Sequence, residues 1–560
     1  VNRSTGLILA TGTGYTAFAT NQLLDSFTNE AGGVIRSANG DAVSLGSVTT
    51  AVNAGTIEAA SYGIQSYFGT IASFSNTGLI SGTVRGFNQD AGGSLTLLTN
   101  SGTITSGSLG MRLTGNSGTI SNLAGGLVAG TSDDAVYVSG NVASLSNAGT
   151  IAGGSGSGDA GVQLVTSGTV ATLTNSGNIT GFRGVEMLNS SGLGSLVNSG
   201  TISGTSAAIY NFSTGTVTSI VNQAGGLIAG TNNSGINGGR YGTIDNYGTI
   251  RGPNGVSFDS NGPVGTLINR SGGVISGTLG PAFYNSRAVG TVTNEVGGLM
   301  TSNSSDGMYI NDPLTTFTNA GVLVTTMSGY DALVVNNTLT TLTNSGTIMG
   351  TRYGVNYDDQ IITMNNLATG LIQGGVTGFY IGSSDPMTAT NAGRIIGGAN
   401  GVRAYYTITG FTNQAGGVIS GTSYAGFTLE DNSGTVTNEA GALIESAQGS
   451  GVRVGGYGTT YKVDEVANAG LITGANSGVR VENGLLKKLT NTGTIQYTGA
   501  GTGPAVRVGP GGVLGVASGT GGPAIVSTGS GALLAGTIVN SGTVFHGFQI
   551  ENQDVTVSAD

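Results

Sequence analysis

Very few residues in this chain could do covalent chemistry. There is one histidine, His546, and no cysteine. A nucleophilic serine needs a base, and His546 stands alone in the stretch from Val544 to Phe548, so no His-dependent triad is assigned. Thiolate and imidazole metal sites are excluded on the same ground, and neither a catalytic, a metal nor a cofactor-binding residue is expected. Carboxylates remain. Asp133 and Asp134, Asp159, Asp306, Asp331, and Asp358 with Asp359 all fall just before a short alternating segment. There they could hold calcium or cleave polysaccharide by acid–base chemistry, but aspartate at such positions commonly closes a turn by bonding its own backbone, and the turn reading is preferred. Aromatics gather as Tyr62, Tyr67 and Phe68, as Tyr353 and Tyr357, as Tyr405 and Tyr406, and as Tyr457 and Tyr461. Exposed, they would stack on sugars or partner proteins; buried, they cover a strand or a corner. Arg453, Arg480 and Arg507 recur in three Val-Arg-Val segments. They are expected to stack about one strand spacing, 4.8 Å, apart, either balanced by Glu430, Asp431 or Glu482, or forming an anion-binding or subunit-contact stripe.

What must position these residues is a repeat. Leu-Thr-Asn-Ser-Gly-Thr-Ile occurs at 98–104 and again at 342–348, with close variants at 196–202 and 489–495. The asparagine of this segment, seen at Asn100, Asn147, Asn175, Asn198, Asn344 and Asn491 among others, returns from Asn2 to Asn491 with a period of about 24 residues, which signals a solenoid. A second segment follows each marker: Gly110 to Leu113, Gly161 to Leu164, Gly184 to Met187, Gly354 to Tyr357, Gly451 to Val454 and Gly478 to Val481 each read glycine, apolar, polar, apolar. Alternation with β-branched residues belongs to a strand with one buried face, and the leading glycine is read as a sharp turn. Two such strands and a third implied one fit a turn of the chain. The expected fold is therefore all-β, a single-stranded parallel β-helix of about 22 coils and roughly triangular section, with no helix. The marker asparagine, present in every coil, is scaffold rather than site: its amide can donate to one neighbouring coil and accept from the other. Residues 1–498 carry the regular repeat and 499–560 a degenerate end.

Composition narrows the partners. Glycine fills 105 of 560 positions and charged residues only 8%. Apolar residues are interleaved at fixed offsets and the net charge of -10 is small for the length, so the signature of disorder is missing. Eighteen basic residues against 28 acidic ones argue against nucleic acid as a partner. No apolar run approaches the roughly 20 residues of a membrane span.

These Asn-x-Gly-Thr-Ile coils resemble the passenger domains of bacterial autotransporters and related large β-helical surface adhesins. The resemblance covers nearly the whole chain. It implies an extracellular place at the surface of a Gram-negative cell and leaves activity open, since the family holds adhesins, self-associating proteins, proteases and esterases; with no catalytic residues found in the sequence, the expected role is structural or adhesive, without enzymatic activity, toward a glycan or a cell-surface receptor. Some related passengers are proteases carrying Gly-Asp-Ser-Gly, which does not occur here. Neither the family's signal sequence nor its membrane barrel is seen. Because Val1 to Ile8 already lies inside the repeat and Phe548 to Val557 alternates as a strand, head-to-tail association of copies into filaments is also expected. The rival reading is a carboxylate-based polysaccharide lyase or glycosidase on the same scaffold.

Overall fold

The computed structural model describes residues 1–545 apart from 213, 260–261, 386, 456–460, 501–502, 510–511, 520–524, 528–532, 535–537 and 541–542. Every regular element among them is a strand. Two compact units are present, Val1–Ala288 and Val289–Asp560. Each is a parallel β-helix.

One coil shows how the repeat is spent. Strand Thr103–Ser106 follows the marker Asn100, strand Leu109–Leu113 holds the glycine-apolar-polar-apolar segment, and strand Asn116–Asn122 ends on the next marker. Each coil therefore has three sides, and each side pairs in parallel with its counterparts above and below, as Thr103–Ser106 does with Leu79–Gly82 and Leu127–Gly130. Twenty-two strands of the first kind occur among the described residues, in line with the number of coils read from the period.

Register makes the core. Because side chains alternate across a strand, one residue of each pair points in, and the pairing holds like on like: Ile57 on Ile80, Ile80 on Ile104, Ile104 on Val128 in the first unit, and Ile348 on Ile372, Ile372 on Ile395, Ile395 on Ile419 in the second. All of these are at most 2% exposed. The outward positions of the third side carry Thr and Ser, such as Thr316 and Thr318 beside Thr341 and Thr343.

The glycine that opens the second side is not there for a turn. Gly110, Gly161, Gly184, Gly354, Gly451 and Gly478 are absent from the positive-φ residues. A Cβ at Gly161 would sit 2.6 Å from Ile179 Cγ2, one at Gly184 2.7 Å from Ile202 Cγ2, and one at Gly451 2.6 Å from Ile472 Cγ2. The corner is closed so tightly that the isoleucine of the next coil occupies the space a side chain would need. Positive φ is found instead where a coil has one more residue after its marker, as at Gly32 (φ 84), Gly125 (φ 82) and Gly441 (φ 80).

Candidate functional site: a cleft on the second side

The marker asparagines form two unidirectional ladders. In the first unit Asn100 Nδ2 donates to Asn122 Oδ1 at 2.8 Å, Asn147 to Asn175 at 2.7 Å, Asn175 to Asn198 at 2.8 Å and Asn198 to Asn222 at 2.8 Å. In the second, Asn344 donates to Asn366 at 2.8 Å and Asn468 to Asn491 at 2.7 Å. All are buried, and each Nδ2 also meets the backbone carbonyl of the first residue of the next coil. These residues hold coils together and face no solvent.

The aspartates before the second side bind backbone, but mostly that of the neighbouring coil rather than their own. Asp134 Oδ1 accepts the Ala160 N–H at 2.7 Å, Asp306 Oδ1 the Asp331 N–H at 2.9 Å, and Asp331 Oδ1 the Tyr353 N–H at 2.9 Å. Asp159 closes its own turn, Oδ2 accepting from Gly156 at 2.7 Å. Burial pushes the Asp134 carboxyl up to about 8, with Asp133 and Asp159 adding to the rise. Asp331, wholly buried, takes a two-pronged ion pair from Arg352, whose guanidinium is held above its ordinary value by that hydrogen bond. Asp358 and Asp359 are raised, chiefly by burial. No group of three or more metal-ligating side chains occurs among the described residues.

Arg453, Arg480 and Arg507 stand in register on three successive coils. Glu482 serves two of them: Arg453 donates from Nε at 2.9 Å and Arg480 from Nε at 2.7 Å. Burial alone would raise the Glu482 carboxyl, but those two guanidinium groups outweigh it and hold the group below its usual range. Arg507 donates to Asn476 Oδ1 at 3.1 Å. Glu430, another expected partner, pairs with Arg403 instead. Two of the three guanidinium groups thus share one carboxylate, which balances one of their charges. His546, Tyr457 and the strand expected at Phe548–Val557 lie outside the described residues.

The second side's outward row differs from the others. Where the third side repeats Thr and Ser, this row reads Gln65, Asn88, Arg112, Tyr137, Gln163 and Glu186 in the first unit. Two coils there are also unusual, because strands Tyr62–Asn76 and Arg85–Asn100 run on from the second side into the third. Their pairing breaks register between Gln89 and Gly92, where Asp90 and Ala91 together face the single residue Tyr67 in a bulge, a device that re-aims side chains. Opposite the bulge, Tyr67 and Phe68 stand out, 45% and 74% exposed. The Phe68 ring lies on Gly92, where any Cβ would fall 2.5 Å from Phe68 Cδ1. Glycine at 92 is therefore what lets the ring lie down.

Between Phe68, the bulge and Tyr137 opens a cleft of about 660 Å³, whose lining includes Tyr67, Asp90, Arg112, Thr114 and Thr166. A second hollow of about 600 Å³ opens on the other side of Tyr67 and Phe68. The floor of the cleft is pre-organised. Asp90 Oδ2 accepts from Gln65 Nε2 at 2.5 Å, and Oδ1 from Asn88 Nδ2 at 3.1 Å and Arg112 Nη1 at 3.2 Å. Asn88 in turn donates to Gln65 at 2.6 Å and accepts from Arg85 at 3.0 Å. Arg85 lies over the Tyr62 ring at 4.8 Å, and its buried Nε has no partner. Burial, then Asp41 and Asp90, raise the Tyr67 phenol, so it keeps its proton.

Strain marks the rim. Thr166 has φ 46 and Ser167 φ 67, a left-handed pair that disfavours a β-branched side chain. Replacing Thr166 with glycine is expected to stabilise the unit by about 0.5–1 kcal/mol, seen as a higher Tm; an unchanged or lower Tm would show that rim contacts outweigh the backbone strain.

Of the cleft residues, Tyr67 and Phe68 are visible in the sequence, as part of an aromatic cluster with Tyr62. Asp90, Tyr137 and Thr166 are not. The signal for them is the missing turn chemistry after Gln65 and after Asn88, where other coils place Thr114-Gly115 or Ser139-Gly140. In the second unit Tyr380 of the same row stacks at 4.7 Å on Tyr353, the first residue of the preceding coil's second strand, with Arg352 over Tyr353 at 4.7 Å and the exposed Tyr405 and Tyr406 nearby in sequence to Arg403. Among the described residues no helix is long and apolar enough to cross a membrane. No family model matches the chain, and no curated protein or solved structure matches it.

Proposed function

We propose that this chain is a non-enzymatic β-helical scaffold of the bacterial cell surface, of the autotransporter-passenger and adhesin kind, which binds saccharide in the cleft beside Phe68. The observation that carries the reading is the meeting of the exposed rings of Tyr67 and Phe68 and the half-buried ring of Tyr137 with a pre-organised hydrogen-bonding floor in one cleft. Sugar rings present apolar C–H faces and a rim of hydroxyls, and rigid aromatic rings beside fixed polar groups suit both. A lattice of stacked coils supplies the rigidity, since a site built on strands is held more firmly than one on a loop. The surface location rests on the resemblance of the repeat.

The enzymatic rival calls for two carboxylates flanking a scissile bond, one of them free to hold or release a proton. Asp90 is the one carboxylate among the residues lining this cleft, and three donors already occupy its oxygens. That favours holding a ligand over cutting it. A glycan array read with the intact protein tests the proposal. Phe68→Ala and Tyr137→Ala are each expected to weaken the best ligand about tenfold, a loss of roughly 1.4 kcal/mol. Release of reducing ends from that ligand on prolonged incubation, or binding indifferent to both variants, would sink it.

A further inference from the structure

Within that reading, the cleft's hydrogen-bonding capacity is lopsided. Asp90 takes three donors, from Gln65, Asn88 and Arg112, so most of its acceptor capacity is turned to its neighbours. Arg112 is spent on Asp90 through Nη1 alone, at 3.2 Å, and its other N–H groups donate to no described residue. Its side chain is 29% exposed and lines the cleft. A guanidinium presents a planar fork of donors, matched best by the two oxygens of a carboxylate. The fork is also fixed: Asp90 holds one end of it and the Tyr137 ring lies beneath the charge at 5.9 Å. What remains open in the cleft is therefore a fixed cationic donor edge between aromatic surfaces, and the one acid beside it is largely taken up by its neighbours.

We infer that the ligand of this cleft is an acidic saccharide, its ring stacked against Phe68 and Tyr137 and its anionic substituent paired with the free edge of the Arg112 guanidinium. Asp90 is a positioning residue in this arrangement, and it also tempers the local positive charge so that selectivity comes from the fork's geometry. The chemistry is that of a sugar-borne carboxylate; a sulfate ester offers a similar oxygen array and is separated by experiment.

The inference rests on the saccharide reading, and the test keeps the two apart. Titration calorimetry with the intact protein compares a galacturonic-acid oligosaccharide, its methyl ester, and a sulfated galactose oligosaccharide of equal length. The free acid is expected to bind at least ten times more tightly than its ester. Arg112→Gln should erase that ratio while leaving weak binding of both, Arg112→Lys should restore part of it, and Phe68→Ala should weaken acid and ester alike. Unchanged melting of the two Arg112 variants checks that the coil survives. Equal affinity for acid and ester, or a ratio that persists in Arg112→Gln, overturns the inference and leaves saccharide binding standing. Tighter binding of the sulfated sugar than of the acid overturns the choice of carboxylate. No binding of any of the three, together with a glycan array blank for wild type, overturns both.

Discussion

Asn344→Ala should lower the stability of its unit by roughly 3–5 kcal/mol, the largest effect expected of any single substitution outside the apolar core. The amide gives Nδ2 to Asn366 Oδ1 at 2.8 Å and to the carbonyls of Gly346 and Leu371 at 3.2 Å, and takes the Asn319 amide at 2.8 Å. It is wholly buried. Truncation leaves a donor above and an acceptor below with no water to turn to, and each such orphan costs about 1–3 kcal/mol. Asn344→Asp separates hydrogen bonding from packing. At neutral pH it buries a charge and sets a carboxylate oxygen against Asn366 Oδ1, so it should be at least as damaging as alanine. In acid the protonated carboxyl can donate again, and part of the loss should be recovered. Hydrogen exchange read coil by coil measures both, because a solenoid opens by neighbouring repeats rather than all at once. An Asn344→Ala protein exchanging like wild type would show that the ladder accompanies the fold without supporting it.

That ladder was plain in the sequence because it is periodic and has one in each coil. So was the architecture: a period near 24, alternating short segments and β-branched residues leave few folds able to bury them. Other readings depended on what lies across the coil. Gly161 and Gly184 are as periodic as the asparagines, yet their reason is an isoleucine methyl from the next turn of chain, which no local pattern reports. Asp134 reads as a turn former from its neighbours in sequence, whereas its carboxylate reaches the Ala160 N–H of the following coil. The cleft was least legible of all. Tyr67 and Phe68 show as aromatics, but their exposure follows from a one-residue slip between strands, and Asp90, Arg112 and Tyr137 meet only because three coils stack in that register.

The second large effect concerns pH. Asp134 is 1% exposed and its carboxyl is raised from 3.8 to about 8 in the folded protein. Below pH 4 the group is protonated both folded and unfolded and contributes nothing. Between about 4 and about 8 the unfolded chain has released the proton and the folded chain still holds it, so stability falls as pH rises, by about 1.4 kcal/mol per pH unit from this one group. Above 8 the folded protein carries a buried charge beside Asp133 and Asp159, and the penalty is complete. Asn at this position keeps a carbonyl oxygen for the Ala160 N–H and has no proton to lose. Asp134→Asn should therefore match wild type at pH 4 and exceed it by several kcal/mol at pH 8, as measured by paired denaturant titrations across that range. Parallel pH profiles for the two proteins would refute the assignment.

The amide ladder has one more property. From Asn100 to Asn222 and from Asn344 to Asn468 each marker donates to the marker of the following coil, so the bonds form an arrow within each stretch. Polarised bonds aligned in this way reinforce one another. An arrow made of interchangeable links is also indifferent to how many links it has. A whole coil gained or lost between two markers leaves the same amide facing the same amide, and the Ile-on-Ile contacts close behind it. Length is thus a freely adjustable dimension of this protein, like the number of courses in a wall. Features that occur once, such as the bulge at Asp90 and the ion pairs around Glu482, tell one coil from the next.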